Sequence, residues 1–171
     1  MKPGDELAPL TIPITRTLIV AGAVASRDYQ DVHHDAELAR AKGSPDIFMN
    51  ILTTNGLVGR YVTDRLGPAA VLRKVAIRLG APNYPGDTMT LAGTVTEVDG
   101  ETVRVRVVGT NGIGHHVTGT VTATVPPPSA TTPPPPSPAL SAPPPPPPLP
   151  PPSAPPLASA GEGARHEEGE R

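Results

Sequence analysis

The segment from Ile51 to Leu66 is the most helix-like in the chain, and the residues after it dictate what such a helix must pack against. Ile51, Asn55, Val58, Val62 and Leu66 recur at three- and four-residue spacing, Leu52 and Leu57 widen the apolar face, and Gly67-Pro68 closes the run. Four β-like runs follow: Ala70 to Leu79, Thr88 to Val98, Thr102 to Thr110 and His116 to Val125. One apolar helix ahead of several strands predicts an α+β architecture, an antiparallel meander with the helix on its concave face. Asp99-Gly100 is a two-residue hairpin signal and Asn111-Gly112-Ile113-Gly114 a longer turn. Pro85-Gly86 fits a type II turn between the first two strands of the meander. Gly56 and Gly59 cost helix propensity, which is tolerable where a sheet backbone approaches the helix closely.

Ahead of the helix, Leu10 to Ala23 is apolar and β-branched and reads as a strand running into a turn. Asp35 is placed to cap a short helix, Ala36 to Lys42, and Gly43 to end it. At Val125 the composition changes. Most of the 26 prolines lie beyond it, in a segment of Pro, Ala and Ser. Residues 1–125 therefore read as one folded domain and 126–171 as a disordered tail that samples polyproline II and cannot bury enough surface to offset its ordering entropy. Its Pro-x-x-Pro patterns suit an SH3- or WW-type groove, but a solvated spacer is the commoner role of such a composition.

With no cysteine, the chain has no nucleophilic thiol, disulfide framework or Cys-type zinc site, so any catalysis rests on carboxylates, imidazoles, hydroxyls or backbone dipoles. A formal net charge of -2 gives no reason to expect a nucleic-acid or anionic-membrane partner. No stretch approaches the roughly 20 apolar residues of a bilayer span, and the acidic start, Met-Lys-Pro-Gly-Asp-Glu, is unlike a signal peptide. A cytoplasmic location is the expectation, and the folded part is small enough for a partner subunit to complete its core or site.

Chemistry concentrates in Ser26-Arg27-Asp28-Tyr29-Gln30-Asp31-Val32-His33-His34-Asp35. Asp28 and His33 can converge on one water as an acid-base pair, although an isolated Asp five residues before a His is more often a turn cap beside a surface imidazole. A metal site from His33, His34, Asp31, Asp35, His115 and His116 is conceivable, but adjacent histidines on an extended segment point to opposite sides. The expectation is no metal. His34 then reads as solvated, Asp35 as a cap, and His115 and His116 as residues of a sheet edge or partner contact. Gly109 to Gly114 lies between strands, so turn geometry explains it better than a phosphate-binding loop.

The run Asp28-Tyr29-Gln30-Asp31-Val32-His33, with Ala39 beyond it, and the segments Gly67-Pro68 and Tyr84-Pro85-Gly86-Asp87-Thr88 resemble the MaoC-like (R)-specific enoyl-CoA hydratases over residues 5–125. Ser26 to Asp35 together with Asp46-Ile47-Phe48-Met49-Asn50-Ile51-Leu52-Thr53 is similar to the small subunits of the heteromeric hydratases of bacterial cholesterol side-chain degradation. The resemblance implies a hot-dog fold, an antiparallel sheet wrapped around one long central helix, with Asp28 and His33 as the catalytic pair. The backbone N–H of Asn50, at the helix start, is the positional heir of the amide that polarises the thioester carbonyl. Tyr84 would line the acyl tunnel or anchor its turn. Arg73 and Arg78, with Lys74, Arg104 and Arg106, are placed to meet coenzyme A phosphates.

The implied substrate is a steroid enoyl-CoA with its double bond near ring D, coenzyme A entering only as part of it and no separate cofactor being needed. The implied partner is a larger subunit with its own hot-dog domain and a zinc-ribbon and OB-type region, or else a second copy of this chain. Arg27, Gln30-Asp31 and Met49-Asn50 stand where the general family has Gly, Asn-Pro and His-Gly. Three other readings stay open: a hydratase of ordinary fatty or branched acyl-CoA, a hot-dog thioesterase, and a non-catalytic scaffold subunit.

Overall fold

A computed structural model describes residues 1–126, so the predicted tail of 126–171 lies outside the described residues apart from Pro126. Strand β1 (Glu6–Pro13) leads into helix α1 (Arg16–Ala25), a 3-10 turn (Asp31–His33), helix α2 (Ala36–Ala41) and helix α3 (Ile51–Leu66). Strands β2 (Val71–Leu79), β3 (Thr88–Asp99), β4 (Thr102–Thr110) and β5 (His115–Thr124) complete it.

The single strand expected from Leu10 to Ala23 is corrected to a strand and a helix. Pro13 ends β1, and the Thr15 hydroxyl then accepts the Leu18 N–H at 3.0 Å, an N-cap that starts α1. Ile19 and Ala23, four apart, are its buried residues, so helical packing overrides the β-branched composition. Helix α1 lies so close to α3 that a Cβ built on Gly22 would sit 2.2 Å from Thr53 Oγ1.

The five strands pair antiparallel in the order β1-β3-β4-β5-β2. Only β3, β4 and β5 form a meander; β2 pairs with β5 at the far edge, which corrects the expected pairing of β2 with β3. The Gly80–Asp87 connection explains the difference. At its start the Gly80 and Ala81 N–H groups donate to the carbonyls of His116 and His115, and at its end Gly86 N–H donates to Ile14 O. Between them the Met49 N–H reaches Asn83 O at 3.1 Å. The connection thus runs from β5, past the start of α3, to the β1 side. Pro82 and Pro85 have no N–H with which to continue a ladder, and Gly86 turns the chain at φ +94°.

Helix α3 lays Thr54, Val58, Gly59, Tyr61 and Val62 on the sheet, whose inner face carries Met89, Leu91, Val95, Val105, Val107 and Val121. This is the hot-dog arrangement that the resemblance implies. Each such fully buried apolar side chain contributes roughly 1.5–3 kcal/mol. The buried stripe is rotated from the expected one: the Tyr61 hydroxyl donates to Leu7 O at 3.3 Å, while Ile51 and Leu52 remain 49% exposed at the helix start. Edge strand β2 also leaves Val71, Leu72, Arg73 and Lys74 exposed, on both of its faces.

Candidate active site

The end of α1 folds back on itself to deliver Asp28. Ser26 Oγ donates to Gly22 O at 2.7 Å, Arg27 takes a left-handed conformation (φ +57°), and the Asp28 N–H donates to Ala23 O at 2.9 Å. A non-glycine residue in that conformation costs about 1 kcal/mol. The 3-10 turn then swings His33 inward, where it is 6% exposed, and the Phe48 N–H fastens the turn to the strand-like segment before α3 by donating to Val32 O at 3.0 Å.

His33 Nε2 lies 3.3 Å from Asp28 Oδ2, so the two residues singled out from the sequence are brought together. His33 Nδ1 is 2.7 Å from Phe48 O. A carbonyl only accepts, so Nδ1 carries a hydrogen and Nε2 is the nitrogen presented to Asp28. The ring is held further by Phe48, packed edge-on at 5.1 Å between centroids. Tyr84 stands behind, edge-on to Phe48 at 6.3 Å, with its hydroxyl 3.5 Å from Ser44 Oγ. It anchors the turn and steadies Phe48, and it is not among the residues lining the cleft.

That cleft encloses about 280 Å³ between Asp28, Gln30, His33, Met49, Ile51 and His116, with the 79–82 segment as its floor. Asn50 is 1% exposed and is not itself part of the lining, whereas its neighbours Met49 and Ile51 are. Among the described residues, the amide hydrogens of Asn50, Ile51 and Leu52 have no acceptor at the helix start, while the Thr53 N–H is taken by Asn50 Oδ1 at 2.9 Å. The Asn50 side chain does something the sequence did not suggest: its Nδ2 donates to both Ser26 Oγ (2.8 Å) and Asp28 Oδ2 (3.0 Å).

His116 has a place in the site that the sequence did not suggest. Expected at an edge or partner contact, it is 1% exposed in the wall of the cleft. Its Nδ1–H donates to Ala81 O at 2.7 Å and its Nε2 accepts the Thr54 hydroxyl at 2.8 Å. Burial holds its pKa below the ordinary histidine value, partly offset by the bond to Ala81. The ring is therefore a neutral wall with both nitrogens committed. The signal was hidden by a bulge: Gly109 pairs with Val117 and Thr110 with His115, so His116 has no β4 partner and escapes the alternation of the strand.

Of the expected phosphate ligands, Arg78 lines a second depression with His115, Leu79, Gly80 and Thr118 that shares Leu79 and Gly80 with the cleft. Arg73 bonds Thr124 Oγ1 on the exposed edge, and Arg104 pairs with Glu97. Asp31 pairs with Lys42 at 2.6 Å, which lowers its pKa, and Asp35 Oδ1 caps α2 by accepting the Glu37 and Leu38 N–H groups. His34 Nε2 donates to Tyr29 O at 3.1 Å. Among the described residues no three His, Asp or Glu side chains converge as metal ligands, and no helix is long and apolar enough to cross a membrane.

The family model described as "MaoC like domain" matches residues 2–123. The chain belongs to the MaoC-like family. Its enzyme class is that of the enoyl-CoA hydratases, as the motif implied. It is 55% identical over 118 residues to the 3-oxo-4,17-pregnadiene-20-carboxyl-CoA hydratase beta subunit of Mycobacterium tuberculosis, covering 69% of this chain and 92% of the relative. Among solved structures, the ChsH1-ChsH2 complex of the same organism contains a chain that is 49% identical, with a TM-score of 0.71 and coverage of 72% of this chain and 98% of that one. The (R)-hydratase from A. caviae involved in PHA biosynthesis, at 18% identity and a TM-score of 0.68, covers 74% of this chain and 98% of its own and shares the fold.

Proposed function

We propose that this MaoC-like chain is the catalytic small subunit of a hydratase that adds water across the α,β double bond of a steroid side-chain enoyl-CoA. The observation that carries the reading is the Asp28–His33 pair, 3.3 Å apart at a cleft bounded by the start of α3. One of the pair takes a proton from water, whose oxygen bonds to the β-carbon. The electrons of the double bond move onto the thioester oxygen as an enolate, and a proton delivered to the α-carbon returns them. Free amides at the start of α3 are suited to the enolate charge, and no separate cofactor takes part. The steroid assignment rests on the 55% identity to a pregnadiene-carboxyl-CoA hydratase subunit.

The chain acts with a second hot-dog subunit in a heteromer, of the kind with an added zinc-ribbon and OB-type region. Its own cleft of about 280 Å³ lies at the lower end of the roughly 300–1,000 Å³ of most ligand sites. Beside it lie an unpaired β2 edge and half-exposed Ile51 and Leu52, surfaces that a second subunit would cover. Arg78, at the depression adjoining the cleft, is the better-placed phosphate ligand.

The test uses the complex as it copurifies. Asp28→Asn and His33→Ala are each expected to lower kcat by at least about 10²-fold, and a steroid enoyl-CoA to be hydrated in preference to crotonyl-CoA. Full turnover by either variant would defeat the mechanism, and a preference for crotonyl-CoA would replace the steroid by an ordinary acyl chain. Release of free CoA thiol would instead favour a thioesterase.

A further inference from the structure

The Asn50 amide can be oriented without ambiguity. Its Oδ1 accepts the Thr53 N–H at 2.9 Å, so the nitrogen must be the atom that meets Asp28 Oδ2 at 3.0 Å, a contact between carboxylate and N–H. The second N–H goes to Ser26 Oγ at 2.8 Å, and that hydroxyl has its own hydrogen committed to Gly22 O, so it can accept. Meanwhile the Thr54 N–H donates to the backbone carbonyl of Asn50 at 3.2 Å. One side chain, 1% exposed, therefore ties three elements: the end of α1 through Ser26, the reactive loop through Asp28, and the first turn of α3 through Thr53.

Its effect on Asp28 is selective. Oδ2 accepts from Asn50 Nδ2 and faces His33 Nε2 at 3.3 Å, whereas Oδ1 meets only the Gln30 N–H at a marginal 3.5 Å. Oδ1 is the oxygen left to bind a water. The loop needs such a tether because Arg27 ahead of Asp28 is held at φ +57°, a conformation that a non-glycine residue leaves readily when nothing fixes its neighbours.

We infer that the Asn50 side chain is a positioning residue for hydration: it fixes which Asp28 oxygen addresses water and sets the distance from that oxygen to the amides at the start of α3. The inference rests on the assignment of Asp28 and His33 above. Only asparagine does this here, since serine, glycine or aspartate can begin a helix but bring no N–H to Asp28.

That distinction provides the experiment, run on the full chain in its copurified complex with steroid enoyl-CoA. Asn50→Ser keeps a good cap and removes the donor. Its melting temperature is expected to fall by a few degrees for the two side-chain bonds it loses, its KM to stay within about two-fold, and its kcat to fall about 10- to 100-fold, the scale of a misplaced catalytic group. Asn50→Asp also caps, but sets a second carboxylate against Asp28. The acid limb of its kcat–pH profile is expected to rise by about one pH unit, as for like charges sharing a site.

Wild-type kcat in Asn50→Ser overturns the inference, as does an unmoved acid limb in Asn50→Asp. If Asn50→Ser loses more than those few degrees along with kcat, the Asn50→Asp profile decides. Asp28→Asn is assayed alongside. Should it turn over normally, the site assignment falls; should it be inactive while Asn50→Ser is not, the role of Asn50 alone falls.

Discussion

Replacing His116 by Gln should change how the stability of this protein depends on pH, and the size of the change follows from its surroundings. The imidazole is 1% exposed and keeps both nitrogens bonded as a neutral ring, Nδ1–H to Ala81 O and Nε2 to the Thr54 hydroxyl. Protonating it would place a charge in the cleft wall and force the Thr54 hydroxyl to turn toward Asn50 O, 3.4 Å away. Its folded pKa is accordingly lowered, mainly by burial. The unfolded chain then binds this proton near pH 6.5 and the folded chain only at lower pH. Unfolding is therefore favoured as pH falls below 6.5, and the contribution of His116 is fully present above that value. The loss grows as pH falls below 6.5, and at pH 5.5 it is bounded by about 1.4 kcal/mol, the limit for a ring that takes up no proton at all, or about 4 °C for a domain of this size.

His116→Gln removes the titration but also disturbs the bonds to Ala81 and Thr54, at a cost of about 1–3 kcal/mol at pH 7.5. The two proteins should thus differ most at pH 7.5 and converge as pH falls toward 5.5, by at most about 4 °C, measured as thermal unfolding of the full chain in matched buffers. His33 and Asp28, which share the cleft wall, are present in both and drop out of the difference. Parallel curves over that range would refute the argument, because they would mean that His116 titrates alike in the folded and unfolded chain.

Gly22→Ala should destabilise by about 1–3 kcal/mol, since its Cβ would sit 2.2 Å from Thr53 Oγ1 and push α1 from α3; unchanged thermal unfolding would show that the two helices separate freely. Arg78→Ala should raise KM for a CoA thioester about two- to five-fold with kcat unaffected, and Arg73→Ala should change neither constant, because of the two only Arg78 adjoins the cleft. Steady-state kinetics with equal effects from both substitutions would remove the phosphate reading of that depression.

What could be read from the sequence was what depends on local period. Strands β3 and β4 alternate buried and exposed residues and meet at Gly100, whose φ is +54°, and α3 ends at Gly67 with φ +96°. Failures occurred where a distant partner decided the outcome. Leu18, Ile19 and Val20 favour a strand by composition, yet Thr15 caps a helix and Ile19 finds the core. Strand β2 joined β5 because bonds at both ends of the Gly80–Asp87 connection fix its path. The Asp28–His33 pair was legible as a motif, whereas the Asn50 tether spans 22 residues to Asp28 and 24 to Ser26 and leaves no local pattern.

That tether also bears on where the enolate of the proposed hydration would be held. A helix dipole alone offers an anion about 0.3–1 kcal/mol at an exposed terminus, and up to about 2 when partly buried, while losing one directed oxyanion donor costs about 2.7–4 kcal/mol. Directed N–H groups, rather than the field of α3, must therefore supply most of the stabilisation. The first turn can spare them because its demand is met from the side: Asn50 Oδ1 takes the Thr53 N–H and Asn50 O the Thr54 N–H. The amides of Asn50, Ile51 and Leu52 stay uncommitted among the described residues, and of these three Ile51 belongs to a residue lining the cleft. Capping by a side chain that simultaneously grips Asp28 thus leaves amides available to the thioester oxygen while fixing the carboxylate opposite them. Moving the cap residue would be expected to disturb both halves of the reaction together, which is why Asn50→Ser, with the cap retained, separates them.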